Sequence, residues 1–226
     1  MADRLGLLYA SARARITAMT AGLSDDAAAQ TCPATPEWTV HDVVAHVRGI
    51  TEDVRTGNLE GVTTDPWTAA QVARHQKTSL SDLLAGWAQD APLLESVLSS
   101  GDPDVPIRAV FDLYAHEADL RGALGLEPSL PDDFGRWAIP IMAGGLVATV
   151  QTTDLPAVRV LTTEGDEIGP SDAPVTLRAS RFELFRSLLG RRSAAQVAAY
   201  NWGDVDPTPY LKHFFVFGPR DTDLVD

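Results

Sequence analysis

Cysteine, lysine and long apolar runs are scarce in this 226-residue sequence. Cys32 is the only cysteine, which excludes an intramolecular disulfide framework and makes a reducing cytoplasm the expected compartment. Lys77 and Lys212 are the only lysines, an arginine bias typical of a GC-rich bacterial source. The longest apolar run, residues 137–150, contains a proline and two glycines and is too short to span a bilayer. Residues 1–22 carry charges throughout and lack the apolar segment of a signal peptide.

Positive charge is also sparse. The chain has 18 basic and 31 acidic residues, so its net charge is -13 and its isoelectric point is about 4.7. Such a chain repels phosphate backbones and anionic lipid surfaces, so we expect it to bind neither nucleic acid nor a membrane. A hydrophobic content of 45% is ordinary for a globular protein and is enough for a core.

Helical spacing of apolar residues predicts four helices in the first half of the chain. They cover residues 3–22, 39–54, 79–100 and 106–124. Thr39 and Asp42 are spaced as in a capping box at the start of the second helix, GDPD (101–104) breaks the chain before the fourth, and Gly125 ends it. The polar segment 57–78 is predicted to be a long irregular connection. The pattern indicates a four-helix bundle with one long crossover.

The pattern becomes mixed after residue 125. A helix, two strands around a turn, and another helix are predicted at 131–150, 157–164, 173–180 and 181–202. Gly190 is a point where the last helix can break, and 211–219 suits a short strand or an extended segment. We therefore predict an α+β chain, with a helical domain over 1–150 and a small α/β domain over 151–226.

The predicted helix FDLYAHEADLRGALG carries charged residues on an apolar background. At ~100° per residue, His116 lies ~40° and Asp119 about −20° from Asp112, so these three share one stripe flanked by apolar residues. Glu117 and Arg121 fall at ~140° and ~180°, on the other side, where we expect a solvated i,i+4 pair. Buried charges must be hydrogen-bonded, paired or metal-bound. The stripe is therefore either a structural Asp–His network or part of a metal site.

A third ligand would come from the second helix, which offers His41 and His46. His41 lies opposite the apolar stripe of that helix and is predicted to be solvated, whereas His46 lies at the edge of the stripe. A lone histidine there is more often a satisfied core residue than a ligand. Opposite Asp112 and His116 on a facing helix, His46 becomes a candidate metal ligand.

Two segments, CPATPEWTVHDVVAHV and DLYAHEADLRGALG, together resemble the mycothiol-dependent maleylpyruvate isomerase family, a branch of the DinB-like metal-binding helical bundles. The first matches the family's Trp–Thr–Val–x–Asp run before a ligand histidine, here Trp38 to His46. The second matches its carboxylate-x-x-x-His-x-x-Asp signature, here Asp112, His116 and Asp119. The segment LFRSLLGRRSAAQVAAYNW resembles the family's sterol-carrier-protein-like second domain. The resemblance thus covers nearly the whole chain.

The resemblance implies that His46, Asp112 and His116 bind one divalent metal, with zinc as the first choice, and leave a coordination position for water or for the thiol of mycothiol. A thiol bound to zinc is deprotonated at neutral pH, which supplies a nucleophile without a protein cysteine. In an isomerase the thiolate adds to an activated cis double bond, the new single bond rotates, and elimination restores the alkene as trans. In an S-transferase the thiolate stays attached to its electrophile. The implied substrate is anionic or electrophilic.

One position departs from the family. The maleylpyruvate isomerase branch typically has glutamate where this chain has Asp112, which is one methylene shorter, and this bears on the specific reaction more than on metal binding. Asp119 is predicted to be a catalytic proton-handling group or a partner of His116, with a structural hydrogen bond as the alternative. Arg191 and Arg192 are candidates for binding the cofactor or an anionic substrate, with salt bridges inside the small domain as the alternative.

Other roles and functional classes stay open at this stage. Trp38 is predicted to pack where the second helix begins, with a substrate wall as the alternative, and Cys32 is predicted to be structural because no basic residue adjoins it. Besides the thiol-using enzyme, the pattern allows a metal-dependent hydrolase that uses metal-bound hydroxide. It also allows a non-catalytic bundle whose metal is structural.

Overall fold

A computed structural model describes residues 3–101 and 106–226, which belong to two compact units. The first unit runs to Pro128 and includes Asp226, and the second covers Ser129–Val225. The domain boundary predicted from the sequence lies near residue 150, one helix later along the chain. That helix, Asp132–Gln151, lies in the second unit because it packs against a helix and two strands of that unit.

The first unit is built around four long helices. Its elements in chain order are α1 (Asp3–Thr20), α2 (Asp25–Ala28), β1 (Thr31–Cys32), β2 (Thr35–Thr39), α3 (Val40–Thr56), α4 (Asp65–His75), α5 (Leu80–Leu98) and α6 (Arg108–Ala123). Helices α1 and α3 each contact both α5 and α6, so these four helices form the predicted bundle. Its core includes the fully buried side chains of Ile16, Val44, Trp87 and Leu113.

Helix α3 begins at the capping box that its sequence predicts. The Thr39 hydroxyl accepts the backbone N–H of Asp42 at 3.1 Å, and the Asp42 carboxylate accepts the backbone N–H of Thr39 at 2.9 Å. The helix ends at Thr56, and Gly57 follows with a φ of 73°, in the left-handed region that favours glycine. Local sequence therefore sets both ends of the helix that carries His46.

Helix α4 lies in the segment that was predicted to be an irregular connection, so that part of the prediction for 57–78 is wrong. The helix has Pro66 in its first turn and packs against α3. The side chains that it buries, Gln71 and His75, are polar. Because no apolar stripe marks the buried face, the helical period is not visible in the hydrophobic pattern.

The remaining helices of the first unit end close to their predicted limits. Helix α5 ends at Leu98, and the predicted GDPD break lies outside the described residues except for Gly101. Helix α6 ends at Ala123, and Gly125 follows with a φ of 64°. Neither these helices nor the others in 3–101 and 106–226 are long and apolar enough to cross a membrane.

The second unit packs helices against a small mixed sheet. Its elements are α7 (Asp132–Gln151), β3 (Val158–Thr162), β4 (Glu167–Ile168), β5 (Val175–Ala179), α8 (Arg181–Leu188), α9 (Ala194–Ala198) and α10 (Thr208–Leu211). The strand order is β4-β3-β5, and β3 runs antiparallel to β4 and parallel to β5. Both predicted strands are present, Gly190 separates α8 from α9, and the tail is irregular after α10. The α+β prediction, a helical bundle followed by a small α/β unit, is confirmed.

Candidate metal centre

The three predicted metal ligands meet where α3 and α6 face each other. His46 Nε2 lies 3.4 Å from Asp112 Oδ2, and His116 Nε2 lies 3.4 Å from Asp112 Oδ1. One ligand atom from each residue lies within 4.8 Å of the other two. Asp112 and His116 are one turn apart on α6, and the contact between α3 and α6 brings His46 to them.

Trp38 contributes a third ring to the site. Its centroid lies 5.0 Å from the His46 ring and 5.7 Å from the His116 ring, and the two imidazoles meet edge to face at 5.1 Å. Both histidines are buried, whereas Trp38 is half-buried. Trp38 therefore packs in the candidate site itself, in addition to its position at the start of α3.

Each imidazole is held through its Nδ1 atom. His116 Nδ1 lies 3.2 Å from Asp119 Oδ2, and Asp119 is buried on the same helix. His46 Nδ1 lies 2.8 Å from Oε1 of Gln71, which comes from α4. With Nδ1 engaged on the far side of each ring, Nε2 is the nitrogen directed at Asp112. The helical wheel predicts Asp119 on the same stripe as His116, in agreement with this contact. Gln71 was not predicted, because α4 was not predicted.

In this cluster, opposite charges and hydrogen bonds together shift the pKa values more than burial does. Burial alone would raise the pKa of Asp112, but the neighbouring His116 and His46 hold that pKa far below its usual value. Burial alone would lower the pKa of His116, but the negative charge of Asp112 and hydrogen bonds to Asp112 and Asp119 raise the pKa to about 9. The two carboxylates thus favour positive charge at His116.

Asp112 Oδ2 distinguishes this cluster from a satisfied polar network. Within the described part of the chain, this buried oxygen has no hydrogen-bond partner. A buried carboxylate oxygen is costly unless a donor or a cation balances it. Two imidazole nitrogens and one carboxylate form a donor set that zinc and related divalent metals accept, with a position left for a further ligand. The residues of this site therefore fit a divalent metal ion.

Two predictions of solvated residues are wrong. Glu117 is only 2% exposed, and its carboxylate accepts two hydrogen bonds from Arg15 of α1, at 2.6 and 2.7 Å. Its predicted partner Arg121 donates to a backbone carbonyl instead. His41 is half-buried, with Nε2 2.8 Å from the carbonyl of Thr78. In each case another part of the chain covers a helix face. The helical wheel shows that such a face is polar but not whether it is covered.

Arg191 and Arg192, the predicted cofactor-binding residues, belong to the second unit. The Arg192 guanidinium is buried and donates to both carboxylate oxygens of Glu183, at 2.7 and 2.9 Å. Arg191 Nη1 donates to the carbonyl of Leu189 at 3.1 Å. The Arg192–Glu183 contact is the salt bridging within the small unit that the sequence allowed, and the cofactor-binding role of both arginines stays a prediction.

Cys32 lies on β1, which packs against α6, and its side chain is fully buried. Burial raises the pKa of its thiol to about 12, and the negative charge of Asp119 acts in the same direction. A thiol with such a pKa is not a nucleophile near neutral pH. The structural role predicted for Cys32 agrees with this environment.

The chain is similar to proteins of one known family. The sequence model described as "Mycothiol maleylpyruvate isomerase N-terminal domain" matches residues 9–123, just over half of the chain, including all three candidate ligands. Curated proteins give no match. A crystal structure of the mycothiol-dependent maleylpyruvate isomerase shares 12% identity with a TM-score of 0.50, over 84% of this chain and 90% of that chain. A crystal structure of a histidine-to-alanine mutant of the mycothiol-dependent maleylpyruvate isomerase shares 11% sequence identity, and its TM-score is 0.49. That match also covers 84% of this chain and 90% of that chain. At these identities the structural likeness concerns the fold alone.

Proposed function

Because the chain belongs to the mycothiol maleylpyruvate isomerase N-terminal domain family, we propose that it is a metal-dependent enzyme that uses mycothiol. It acts either as a thiol-assisted cis–trans isomerase or as a thiol S-transferase, on a small anionic or electrophilic molecule in a reducing cytoplasm. The observation that carries this proposal is the convergence of two imidazole Nε2 atoms on the Asp112 carboxylate, one oxygen of which has no hydrogen-bond partner among residues 3–101 and 106–226.

The metal ligands in this proposal are His46, Asp112 and His116. A divalent metal bound there, zinc as the first choice, would supply Lewis acidity and stabilise the thiolate form of mycothiol at neutral pH. The ligands carry one negative charge when both histidines are neutral, so a site with one bound divalent cation keeps a net positive charge. That charge favours an anionic thiolate as the further ligand. The shorter Asp112 is accommodated because its two oxygens already lie 3.4 Å from the two histidines.

The surrounding residues orient the ligands and limit access of water. Asp119 is buried and contacts His116 Nδ1, so it holds the proton on that nitrogen and keeps Nε2 free for the metal. Its role in this proposal is to orient the ring, and its predicted proton-handling role would act through His116. Trp38 packs on both imidazoles and is half-buried, so it offers one apolar wall to a substrate.

The experiment that tests the function uses the full chain loaded with zinc, with maleylpyruvate as the first substrate. We expect formation of the trans isomer only when mycothiol is present. An isomerase leaves the thiol concentration unchanged, whereas an S-transferase consumes one thiol for each product. Product and thiol can be followed together by chromatography.

The controls separate this proposal from its alternatives. His116→Ala should abolish turnover, while Arg121→Gln, on the opposite side of α6, should leave turnover unchanged. Turnover that continues without any thiol would favour a metal-dependent hydrolase. A chain that binds zinc but converts no electrophile with mycothiol would favour a non-catalytic bundle. Wild-type protein that retains no metal after zinc is supplied would contradict the metal site itself.

A further inference from the structure

Gln71 is a fully buried amide that joins a candidate ligand to a second buried residue. Its Oε1 lies 2.8 Å from His46 Nδ1, and its Nε2 donates to Asp53 Oδ2 at 2.7 Å. We call this chain of contacts the His46–Gln71–Asp53 bridge. It connects α4 to two positions of α3 that lie two turns apart.

The bridge determines which atom of the amide faces the histidine. A carboxylate only accepts hydrogen bonds, so the atom of Gln71 that faces Asp53 must be the NH₂ group. The carbonyl oxygen of Gln71 then faces His46, and it too only accepts. His46 Nδ1 must therefore carry a proton, which leaves the lone pair of the neutral ring on Nε2, the atom directed at Asp112.

Asp53 is itself held in place at its other oxygen. Asn58 Nδ2 and Arg74 Nη2 each donate to Asp53 Oδ1 at 2.9 Å. With three donors around it, the buried carboxylate is satisfied and cannot turn its Oδ2 away from Gln71 without losing these contacts. The orientation of Gln71 is therefore fixed from behind.

Gly49 allows the bridge to form. A Cβ atom at this position would lie 2.6 Å from Cβ and 2.8 Å from Cγ of Gln71, closer than real contacts allow. Glycine inside a helix is less stable than alanine, yet here it lets α4 approach α3 closely enough for Gln71 to reach His46. The helix that carries a ligand is thus shaped for the residue that supports the ligand.

From these contacts we infer that Gln71 is a positioning residue for the metal site: it fixes the proton on His46 Nδ1 and presents Nε2 to the metal. This inference rests on the proposed function for the presence of a metal, but the bridge itself does not. It gives His46 the kind of support that Asp119 gives His116, with an amide backed by a carboxylate in place of a carboxylate alone.

The test compares Gln71→Leu with Gln76→Leu, the same substitution at an exposed residue just after α4. Zinc affinity is measured on the full chain by competition with a chromophoric chelator. We expect Gln71→Leu to weaken zinc binding by about 10- to 100-fold, as is typical when the outer partner of a ligand histidine is lost, and Gln76→Leu to bind as wild type does. Zinc affinity within twofold of wild type in a folded Gln71→Leu protein would overturn the inference.

Two further measurements keep the inference testable if Gln71→Leu does not fold. Gly49→Ala changes no polar group, and we expect it to weaken zinc binding by displacing Gln71; unchanged affinity would overturn the inference. In the metal-free wild-type protein, ¹⁵N NMR of the imidazole should detect a proton on His46 Nδ1, and an Nδ1 without a proton would overturn it. Failure of the wild type to bind zinc contradicts the proposed function alone, since the NMR result still decides the bridge.

Discussion

Helix α6 buries charge on two faces, and the faces differ in how completely that charge is satisfied. On one face, both oxygens of Glu117 accept hydrogen bonds from Arg15 at 2.6 and 2.7 Å. On the other face, Asp112 meets two histidines at 3.4 Å, and its Oδ2 has no hydrogen-bond partner among the described residues. We call the side of α6 with Glu117 the closed face and the side with Asp112, His116 and Asp119 the open face.

This difference distinguishes the two faces more sharply than burial does. Glu117 is buried and Arg15 matches it with two parallel hydrogen bonds, so that pair has no capacity for another ligand. In the Asp112 cluster three ligand atoms converge, and Asp112 Oδ2 has no hydrogen-bond partner among the described residues, which is the condition that a cation would relieve. We therefore expect variants of His116 to weaken metal binding. Variants of Glu117 should weaken folding and leave metal binding unchanged.

The largest effect is expected for His116→Ala on the open face. Structural zinc sites bind with ~10–16 kcal/mol shared among their ligands, so loss of one ligand should weaken zinc binding by at least ~100-fold. Zinc affinity within threefold of wild type, measured by chelator competition, would contradict the assignment of His116 as a ligand.

Glu117→Gln on the closed face should weaken folding and leave zinc binding unchanged. Breaking a buried pair is costly, but the Arg15 side chain is 31% exposed and water can partly replace its partner, so we expect a loss of about 2 kcal/mol in the free energy of unfolding. Zinc affinity should stay at the wild-type value. Urea unfolding monitors the first quantity and chelator competition the second; a loss of zinc binding without a loss of stability would mean that the two faces are not independent.

The residues of the open face could be predicted from the sequence because the helical period alone places them on one stripe of α6. Asp112, His116 and Asp119 lie on one stripe of α6 by helical geometry alone, and the capping box at Thr39 fixed the start of α3 and so the place of His46 along it. The main helices were therefore predicted correctly, and the three candidate ligands lie close together, while their role as metal ligands stays a prediction.

The closed face and α4 could not be predicted, for two physical reasons. Arg15 is separated from Glu117 by 102 positions, and a helical wheel does not say which element covers a face. Helix α4 buries Gln71 and His75, so its packing depends on hydrogen bonds and leaves no hydrophobic period to detect. The one sequence signal was Gly49, a glycine inside a helix, which indicates a close approach without naming the residue that approaches.

A smaller effect on the open face is expected from pH. The pKa of His116 is raised to about 9 in the folded metal-free protein, against about 6.5 for an unperturbed histidine. The folded state thus holds this proton more tightly than the unfolded state, so the stabilisation is complete below pH ~6.5 and is lost as pH rises through about 9. Melting temperatures measured in chelator at several pH values should fall across this interval, and less so in His116→Ala. Zinc affinity should rise over the same interval, because metal binding displaces the proton.

The smallest effect concerns Cys32, behind the open face on β1. Its thiol is fully buried and its pKa is raised to about 12, first by burial and then by the charge of Asp119, so almost no thiolate is present at pH 8. We expect a chromogenic disulfide reagent to leave the folded protein unmodified at that pH and to react fully after unfolding in urea. Rapid reaction in the folded state would mean that the protein carries its own nucleophile near the candidate metal ligands. If Cys32 does not react in the folded protein, a thiolate that acts at this site has to come from a small molecule. The proposed function gives that role to mycothiol.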